Sequence, residues 1–214
     1  MTFLPDWPTL ATFTVAVWLL AATPGPDMTL SVGRAIADGK GAGMMVVLGT
    51  STGIVLHTLL VAFGVSALIV ASPTAFTLLK TGGAAYLVWL AIGAIRHGST
   101  FTLGREEFGR RNSMASNYLT GLWVNLLNPK VVIFVMTFLP QFVDAADPHV
   151  TGKLIFLGLW MIVMAMPFNA AAVLLAERLA GWLQSNRRVM RAVDYVFAGV
   201  FSLFAVKVLT AHAR

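Results

Sequence analysis

Long apolar runs dominate the pattern of this chain, and the polar residues collect in the short segments between them. Read with a window of bilayer length, the pattern predicts six hydrophobic spans. They cover residues 9–34, 43–70, 74–96, 114–140, 153–177 and 190–211. About 20 apolar residues cross a bilayer as one helix, and these runs lack the short alternating segments of a membrane barrel. We therefore expect an all-α, polytopic membrane protein with six transmembrane helices.

The composition supports a membrane protein and excludes a soluble enzyme. Hydrophobic residues make up 57% of the 214 residues and charged residues only 11%, whereas roughly a quarter of an ordinary soluble domain is charged. The chain has no cysteine, which excludes disulfides and thiolate metal sites. Lys and Arg outnumber Asp and Glu by 15 to 9, but they do not form the dense patches of nucleic-acid-binding proteins. We expect no nucleic-acid partner; membrane lipid is the surrounding medium.

The basic residues predict the orientation of the spans. Ten of the fifteen fall in the three connections on one side, namely Arg34, Lys40, Arg96, Arg105, Arg110, Arg111, Arg178, Arg187, Arg188 and Arg191. The opposite side carries Lys80, Lys153, Lys207 and Arg214, and Lys130 lies within a span. Short cytoplasmic loops are the basic ones, so we expect both termini outside.

The first and fourth spans are interrupted by proline. The first contains Pro24, Gly25, Pro26 and Asp27, and the fourth contains Asn128, Pro129 and Lys130. Proline inside a helix removes a backbone donor and clashes with the preceding turn. Each span is therefore predicted to be two half-helices that meet near the middle of the bilayer. Simple proline kinks, which are common in membrane helices, are the alternative.

The two breaks divide the chain into halves. Residues 1–96 form a first three-helix repeat, 97–113 a cytoplasmic linker, and 114–214 a second three-helix repeat. An odd number of spans per half forces the halves into opposite orientations in the membrane. Broken helices at matching places in inverted repeats are typical of transporter binding sites.

The charged residues beside the breaks suggest complementary chemistry. The carbonyls that Pro24 and Pro26 free lie near Asp27, which suits a cation. Asn128 can cap the second half-helix, and its free amides together with Lys130 suit a carboxylate. Either Asp27 and Lys130 pair with each other, or an amino acid bridges them. Alternatively, Asp27 is only an N-cap and Lys130 only snorkels to the interface.

Further polar residues lie inside the spans. His57, near the centre of the second span, has a side chain suited to a proton relay or to a plain interhelical hydrogen bond. Asn125 and Asn169 can extend the polar site or join helices through hydrogen bonds. Gly49 and Gly53 form a small-xxx-small pair that lets helices approach closely. Asp194 and Glu177 lie near the basic connections, where local ion pairs are expected.

At this point the motifs resemble those of a known family. The stretch from Ala22 to Asp27, followed by Arg34 and the glycines at 39–43, resembles the first signature of the LysE/RhtB family of amino-acid exporters. The stretch from Leu127 to Lys130, continuing to Phe138-Leu139-Pro140-Gln141-Phe142-Val143, resembles the second. The resemblance covers nearly the whole chain. It implies a multi-pass protein of the bacterial inner membrane that expels amino acids or close derivatives, is driven by protons, and has a homodimer as a candidate assembly.

Three functions are weighed on this basis. The leading hypothesis is a secondary exporter of amino acids that works by proton antiport, without any cofactor. The alternative is efflux of a metal cation or another small solute by the same fold, against which the lack of cysteine argues. A membrane-embedded enzyme is not expected, because no nucleophile and base pair is visible in the spans.

Overall fold

The computed structural model describes residues 4–97, 112–144 and 146–211, and the regular elements in those ranges are helical. The all-α prediction is confirmed for this part of the chain. The α-helices are α1 (Trp7–Ala22), α2 (Pro26–Asp38), α3 (Lys40–Ala71), α4 (Pro73–His97), α5 (Met114–Leu127), α6 (Pro129–Ile133), α7 (Val150–Leu174), α8 (Ala176–Ser185) and α9 (Arg187–Ala211). After α6 the chain continues as a π-helical segment, Phe134–Phe138, and a 3₁₀ turn, Leu139–Phe142.

Apolar helices of membrane-crossing length are present in the described part of the chain. Two helices meet the requirement singly, over Lys40–Leu68 and Val150–Leu174, and two bent pairs meet it when each pair is taken as one span. Helix α4 offers a shorter apolar stretch, Thr77–Gly93, and α9 carries Arg188, Arg191 and Asp194 near its start. Four of the six predicted spans thus have candidates, and the count of six stays a prediction.

The first and fourth spans are both broken at their prolines, as the sequence predicts. Helices α1 and α2 meet at an angle of 53°, and the pair on either side of Asn128 meets at 62°. Pro26 is the first residue of α2 and Pro129 the first residue of α6, where the missing N–H has no helical partner to lose. Proline therefore both ends one half-helix and starts the next.

One helix was missing from the sequence prediction. The fifth span was expected to run to residue 177 and to be followed by a loop, but α7 ends at Leu174 and α8 follows it. Ala176 and Ala180 on α8 are buried while Glu177 and Arg178 are exposed. A short amphipathic helix of this kind has too few apolar residues to register in a bilayer-length window.

Helix α3 packs against α2, α5 and α7 and so holds the two broken spans together. The predicted close approach at Gly49 and Gly53 is confirmed: a Cβ on Gly49 would lie 2.1 Å from the Tyr118 carbonyl oxygen, and one on Gly53 would lie 2.4 Å from Asn125 Oδ1. Gly121 of α5 meets the Val46 carbonyl in the same way. These glycines bring the α3 and α5 backbones together, which brings Asn125 to the centre of the molecule.

Candidate functional site

The two breaks face each other across a small cavity. Its volume is about 80 Å³, several times the roughly 10–15 Å³ that a single water needs. Thr23, Gly25 and Asp27 line it from the first break, and Asn128 and Lys130 line it from the second. The remaining walls are α3 and α7, with Thr50 and Ile54 on one and Met161, Ala165 and Asn169 on the other.

Asp27 is held by two amides from the other half of the chain. It lies in the first turn of α2, where the helix dipole favours a negative charge. Asn125 donates from Nδ2 to Asp27 Oδ2 at 2.6 Å, and Asn128 donates from Nδ2 to Asp27 Oδ1 at 2.8 Å. Asp27 is therefore not the N-cap of α2: Gly25 is at that position, and no side chain caps it.

Asn128 joins the two breaks through its two amide atoms. Its Oδ1 accepts a hydrogen bond from the Lys130 backbone N–H at 3.0 Å and so caps α6, while its Nδ2 reaches Asp27. The side chain is almost completely buried. The capping role agrees with the sequence prediction, and the contact with Asp27 adds a bridge across the halves.

Lys130 binds the backbone of the first break. Its Nζ donates to the Thr23 carbonyl at 2.9 Å and to the Leu20 carbonyl at 3.4 Å. The Leu20 carbonyl loses its helical donor because Pro24 has no N–H, and the Thr23 carbonyl lies at the C-cap of α1, where the helix has ended. The sequence placed these freed carbonyls beside Asp27 as a cation site; in the structure the cation on them is the ammonium of Lys130.

Of the other predicted site residues, Asn169 lines the central cavity and the three prolines lie outside it. Pro24 lines a separate apolar cavity between the first break and α7, α8 and α9, and Pro26 lines an open groove beside α5. Pro129 starts α6. The prolines therefore shape the backbone of the site, whereas Gly25, Asp27, Asn128, Lys130 and Asn169 line its cavity.

His57 lies next to this site on α3, one turn beyond Ile54. It is buried, and within the described residues its Nε2 has no hydrogen-bond partner. Since Thr50 and Ile54 of the same helix line the cavity, His57 extends the polar site away from the breaks.

Two buried polar residues were not recognised from the sequence. Asn117 is fully buried two turns before Asn125 on α5, and neither of its amide atoms finds a hydrogen-bond partner in the described ranges. Asp194 was expected in a local ion pair near the basic surface; the structure shows that it is only 1% exposed, and the ion pair stays a prediction. A signal exists for Asp194: Ala198 and Ala205, which follow it on the same face of α9, are also buried.

Charged residues also mark the two ends of the molecule. Arg34 Nη1 lies 3.2 Å from Asp38 Oδ2 at the end of α2, and the Asn112 backbone N–H donates to the same oxygen at 3.4 Å. Near the start of α1, a wider cavity of about 380 Å³ is lined by Asp6, Asp144, Asp147 and Lys153. Hydrogen bonds from Thr9 lower the pKa of Asp6, and the hydrogen bond from Lys153 lowers the pKa of Asp147.

In the described part of the chain, no three His, Asp or Glu side chains lie close enough together to hold a metal ion. The polar groups of the central cavity are instead one carboxylate, one ammonium, amides and backbone carbonyls. Such groups bind an ammonium and a carboxylate through charge-assisted hydrogen bonds.

Comparison with known proteins gives consistent matches over most of the chain. The model of the LysE type translocator family matches residues 18–212. A homoserine/homoserine lactone efflux protein of Salmonella typhimurium is 32% identical over 196 residues, which is 92% of both chains. An uncharacterized membrane protein of Vibrio cholerae is 30% identical and covers 94% of this chain and 95% of its own. A leucine efflux protein of an Enterobacter strain is 21% identical, with 94% and 95% covered.

No solved structure matches this chain significantly. The family assignment therefore depends on sequence, and the two signatures at the breaks both fall inside the matched range. On this match, and on the 32% identity to the Salmonella protein, the chain belongs to the LysE type translocator family.

Proposed function

We propose that this protein is a secondary transporter that exports an amino acid or a close derivative across the bacterial inner membrane. One observation carries the proposal: a carboxylate from the first half and an ammonium from the second half line the same small cavity between two broken helices. An amino acid carries the complementary pair of charges. A charge in the bilayer costs at least about 2.5–3.5 kcal/mol on insertion scales, so two retained charges indicate a function.

In the proposed complex, the substrate takes over contacts that the protein now makes internally. Its ammonium binds Asp27 and the Leu20 and Thr23 carbonyls, which hold Lys130 in the structure. Its carboxylate binds the Lys130 ammonium and the Asn128 side-chain amide. Each buried charge then keeps a partner throughout binding.

The names of the relatives support this pose. Homoserine, homoserine lactone and leucine share an amino group on the carbon next to a carbonyl carbon. They differ in their side chains. A binding site that holds the shared part at the two breaks leaves the side chain toward α3 and α7, where Ile54, Met161 and Ala165 supply an apolar surface. We propose that these wall residues select the side chain.

Proton antiport follows from competition at Asp27. The carboxylate binds either a proton or the substrate ammonium, and two such ligands that exclude each other are exchanged when the site alternates between the two faces of the membrane. Coupling requires that the inward-facing and outward-facing states differ in affinity. His57, which is buried one turn from the cavity-lining Ile54, is proposed to pass the proton along α3.

The proposal includes six spans in two inverted repeats with both termini outside. Two features support it. The first and fourth spans, which hold matching places in the two halves, are both bent. Helix α3 packs on α7 as α4 packs on α9, which are the pairings expected of related helices near a two-fold axis. A proteolysis or labelling assay on membrane vesicles, with tags at each terminus, tests the orientation.

Flux into proteoliposomes is the direct test. The purified protein is reconstituted into liposomes, which are preloaded with a single amino acid. Counterflow of the amino acid is measured, and proton movement is followed with a pH-sensitive dye inside the liposomes. We expect amino-acid flux accompanied by opposite proton flux, and at least a hundredfold loss in Asp27→Asn. The matched control is Asp38→Asn, an acidic residue at the far end of the same helix, which should keep more activity than Asp27→Asn.

Two results would contradict the proposal. Flux that ignores an imposed pH gradient would exclude proton coupling while leaving amino-acid export intact. Flux of divalent cations in place of amino acids would favour the alternative of metal efflux by the same fold.

A further inference from the structure

A second cavity lies directly behind the first break. Its volume is about 320 Å³, and the residues that line it are all apolar. Pro24 of the break lines this apolar cavity, whereas its neighbour Gly25 lines the central one. On α7, the adjacent residues Phe168 and Asn169 divide between the two cavities in the same way. The two cavities are therefore separated by the thickness of a single layer of residues.

Two residues line both cavities, namely Ala21 of α1 and Met28 of α2. Since the side chain of Ala21 is only a methyl group, the side chain of Met28 is the larger part of the partition at this point. Met28 is partly buried and packs against apolar residues of α2, α3, α7 and α8. Methionine is unbranched and flexible, and it adapts to irregular space. Rotation of its side chain can thus open a passage between the cavities without moving a helix.

The central cavity has room for little more than the charged part of an amino acid. Its volume of about 80 Å³ holds roughly five to eight water-sized groups at about 10–15 Å³ each. The ammonium, α-carbon and carboxylate of a substrate fill most of that space. Small-molecule sites typically measure about 300–1,000 Å³, a range that the central cavity reaches only together with the apolar one. A long side chain must therefore leave the central cavity, and Met28 follows Asp27 directly in the sequence.

We propose that the apolar cavity is the side-chain pocket of the substrate site and that Met28 selects for the length of the side chain. The ligands are amino acids with long aliphatic side chains. Their charged end binds at the two breaks, and their side chain passes Met28 into the apolar cavity. The wall residues Ile54, Met161 and Ala165 then contact the first carbons of the side chain. This inference rests on the proposed function, which supplies the site for the charged end.

The chemistry of the apolar cavity predicts how affinity depends on side-chain length. Trp182 of α8 and Val189 of α9 line it and are 47% and 38% exposed, so the cavity also opens away from the break and leaves room for extension. Because the lining is apolar, each methylene group that enters should strengthen binding about fourfold. A side chain that ends in a charged group finds no partner among these lining residues.

The test is calorimetric binding of a straight-chain series to the purified protein in detergent. The series consists of alanine, norvaline, norleucine and 2-aminooctanoate, and we expect the unmodified protein to bind the longer members more tightly. Met28→Phe places a bulkier and stiffer side chain in the passage. The ratio of the dissociation constant for 2-aminooctanoate to that for alanine should rise at least about tenfold in this variant. Met28→Ala widens the passage and should not raise this ratio.

A further variant places the obstruction deeper along the proposed path. Ala171 of α7 lines the apolar cavity and is exposed, so Ala171→Phe narrows the cavity without forcing a larger side chain into the core. It should weaken binding of 2-aminooctanoate more than binding of norvaline. Met44→Phe is the matched control, because Met44 packs against the same apolar residues as Met28 but lines neither cavity. It should leave the dependence on length unchanged.

The outcomes separate this inference from the proposed function. If alanine binds and affinity in the unmodified protein does not rise with side-chain length, the inference is overturned while amino-acid binding at the breaks stands. That result is expected if a lipid chain fills the apolar cavity. Equal losses for alanine and 2-aminooctanoate in Met28→Phe would also overturn it. If no member of the series binds, the proposed function fails and the inference fails with it.

Discussion

The two breaks use proline alike but are completed differently. The second break is self-sufficient, because Asn128 caps the half-helix that Pro129 begins. The first has no side-chain cap, and its Thr23 and Leu20 carbonyls are bound by Lys130 from the second break. The first half of the chain thus supplies backbone carbonyls and a carboxylate. The second half supplies the side chains that bind them.

This difference identifies the residues on which the site depends. Groups that belong to the second break alone, such as the cap on α6, support local structure. Groups that cross from the second break to the first, such as Lys130 Nζ and the Asn125 and Asn128 amides, join the halves. Changes to the crossing groups should therefore affect transport more than changes that stay within one break.

The largest effect is expected from Lys130→Met. This change removes the ammonium that binds the first break and leaves the Leu20 and Thr23 carbonyls in an apolar setting without their donor. We expect transport in proteoliposomes to fall at least a hundredfold. Lys130→Arg is the control and should retain part of the activity, because it keeps the charge and the donors. Normal transport by Lys130→Met would mean that the crossing contact has no function.

A smaller but graded effect is expected at the two asparagines. Asn128→Ala removes a helix cap, typically about 1 kcal/mol, and a hydrogen bond to a charged group, about 1.5–3 kcal/mol. Asn125→Ala removes only the bond to Asp27. Thermal unfolding in detergent should therefore show a larger loss of stability for Asn128→Ala. The reverse order would show that the cap contributes nothing.

Alanine substitution should have different effects on stability at Gly25, in the first break, and at Gly49, in the contact between α3 and α5. A Cβ on Gly25 would meet only the Lys130 side chain, at 3.8 Å, which is ordinary contact, and its φ of −160° is accessible to any residue. Gly25→Ala should therefore fold normally and lower transport only modestly. Gly49→Ala places its Cβ 2.1 Å from a backbone carbonyl, so its melting temperature should fall clearly. Similar melting temperatures for the two variants would contradict the packing of α3 on α5.

The smallest effect is expected at Asp6, which caps α1 far from either break. Hydrogen bonds from Thr9 lower its pKa in the folded protein. Its contribution to stability is thus present above the unfolded pKa of about 3.9 and is lost as the pH falls through the lower, folded value. In that acidic window, the melting temperature of Asp6→Ala should therefore change less with pH than that of the unmodified protein. Transport at neutral pH should be unchanged.

Much of the fold could be predicted because membrane spans and proline breaks depend on residues that are close together in the sequence. The apolar runs predicted α3 and α7, and Pro24, Pro26 and Pro129 predicted both bends. Helix α8 was not predicted, because its Ala176 and Ala180 are too few and too small to distinguish it from a polar loop. Local sequence also suggested Asn128 as a cap, since capping depends only on neighbouring residues.

The contacts across the site could not be predicted in the same way. That Lys130 binds the Thr23 carbonyl, and that Asp194 is buried, depend on how α1, α6 and α9 pack together. A charge count placed Asp194 among the basic loops, because a residue near a helix start has the same local pattern whether it faces water or the protein interior.

The bond between Lys130 and the first break has a consequence for affinity. On the proposed function, the Lys130 ammonium is a competitor tethered to its own binding site. Tethered groups reach effective concentrations in the millimolar range, and a free substrate must exceed that competition to bind. We expect this competition to weaken the apparent affinity for the substrate, so that export increases as the amino acid accumulates.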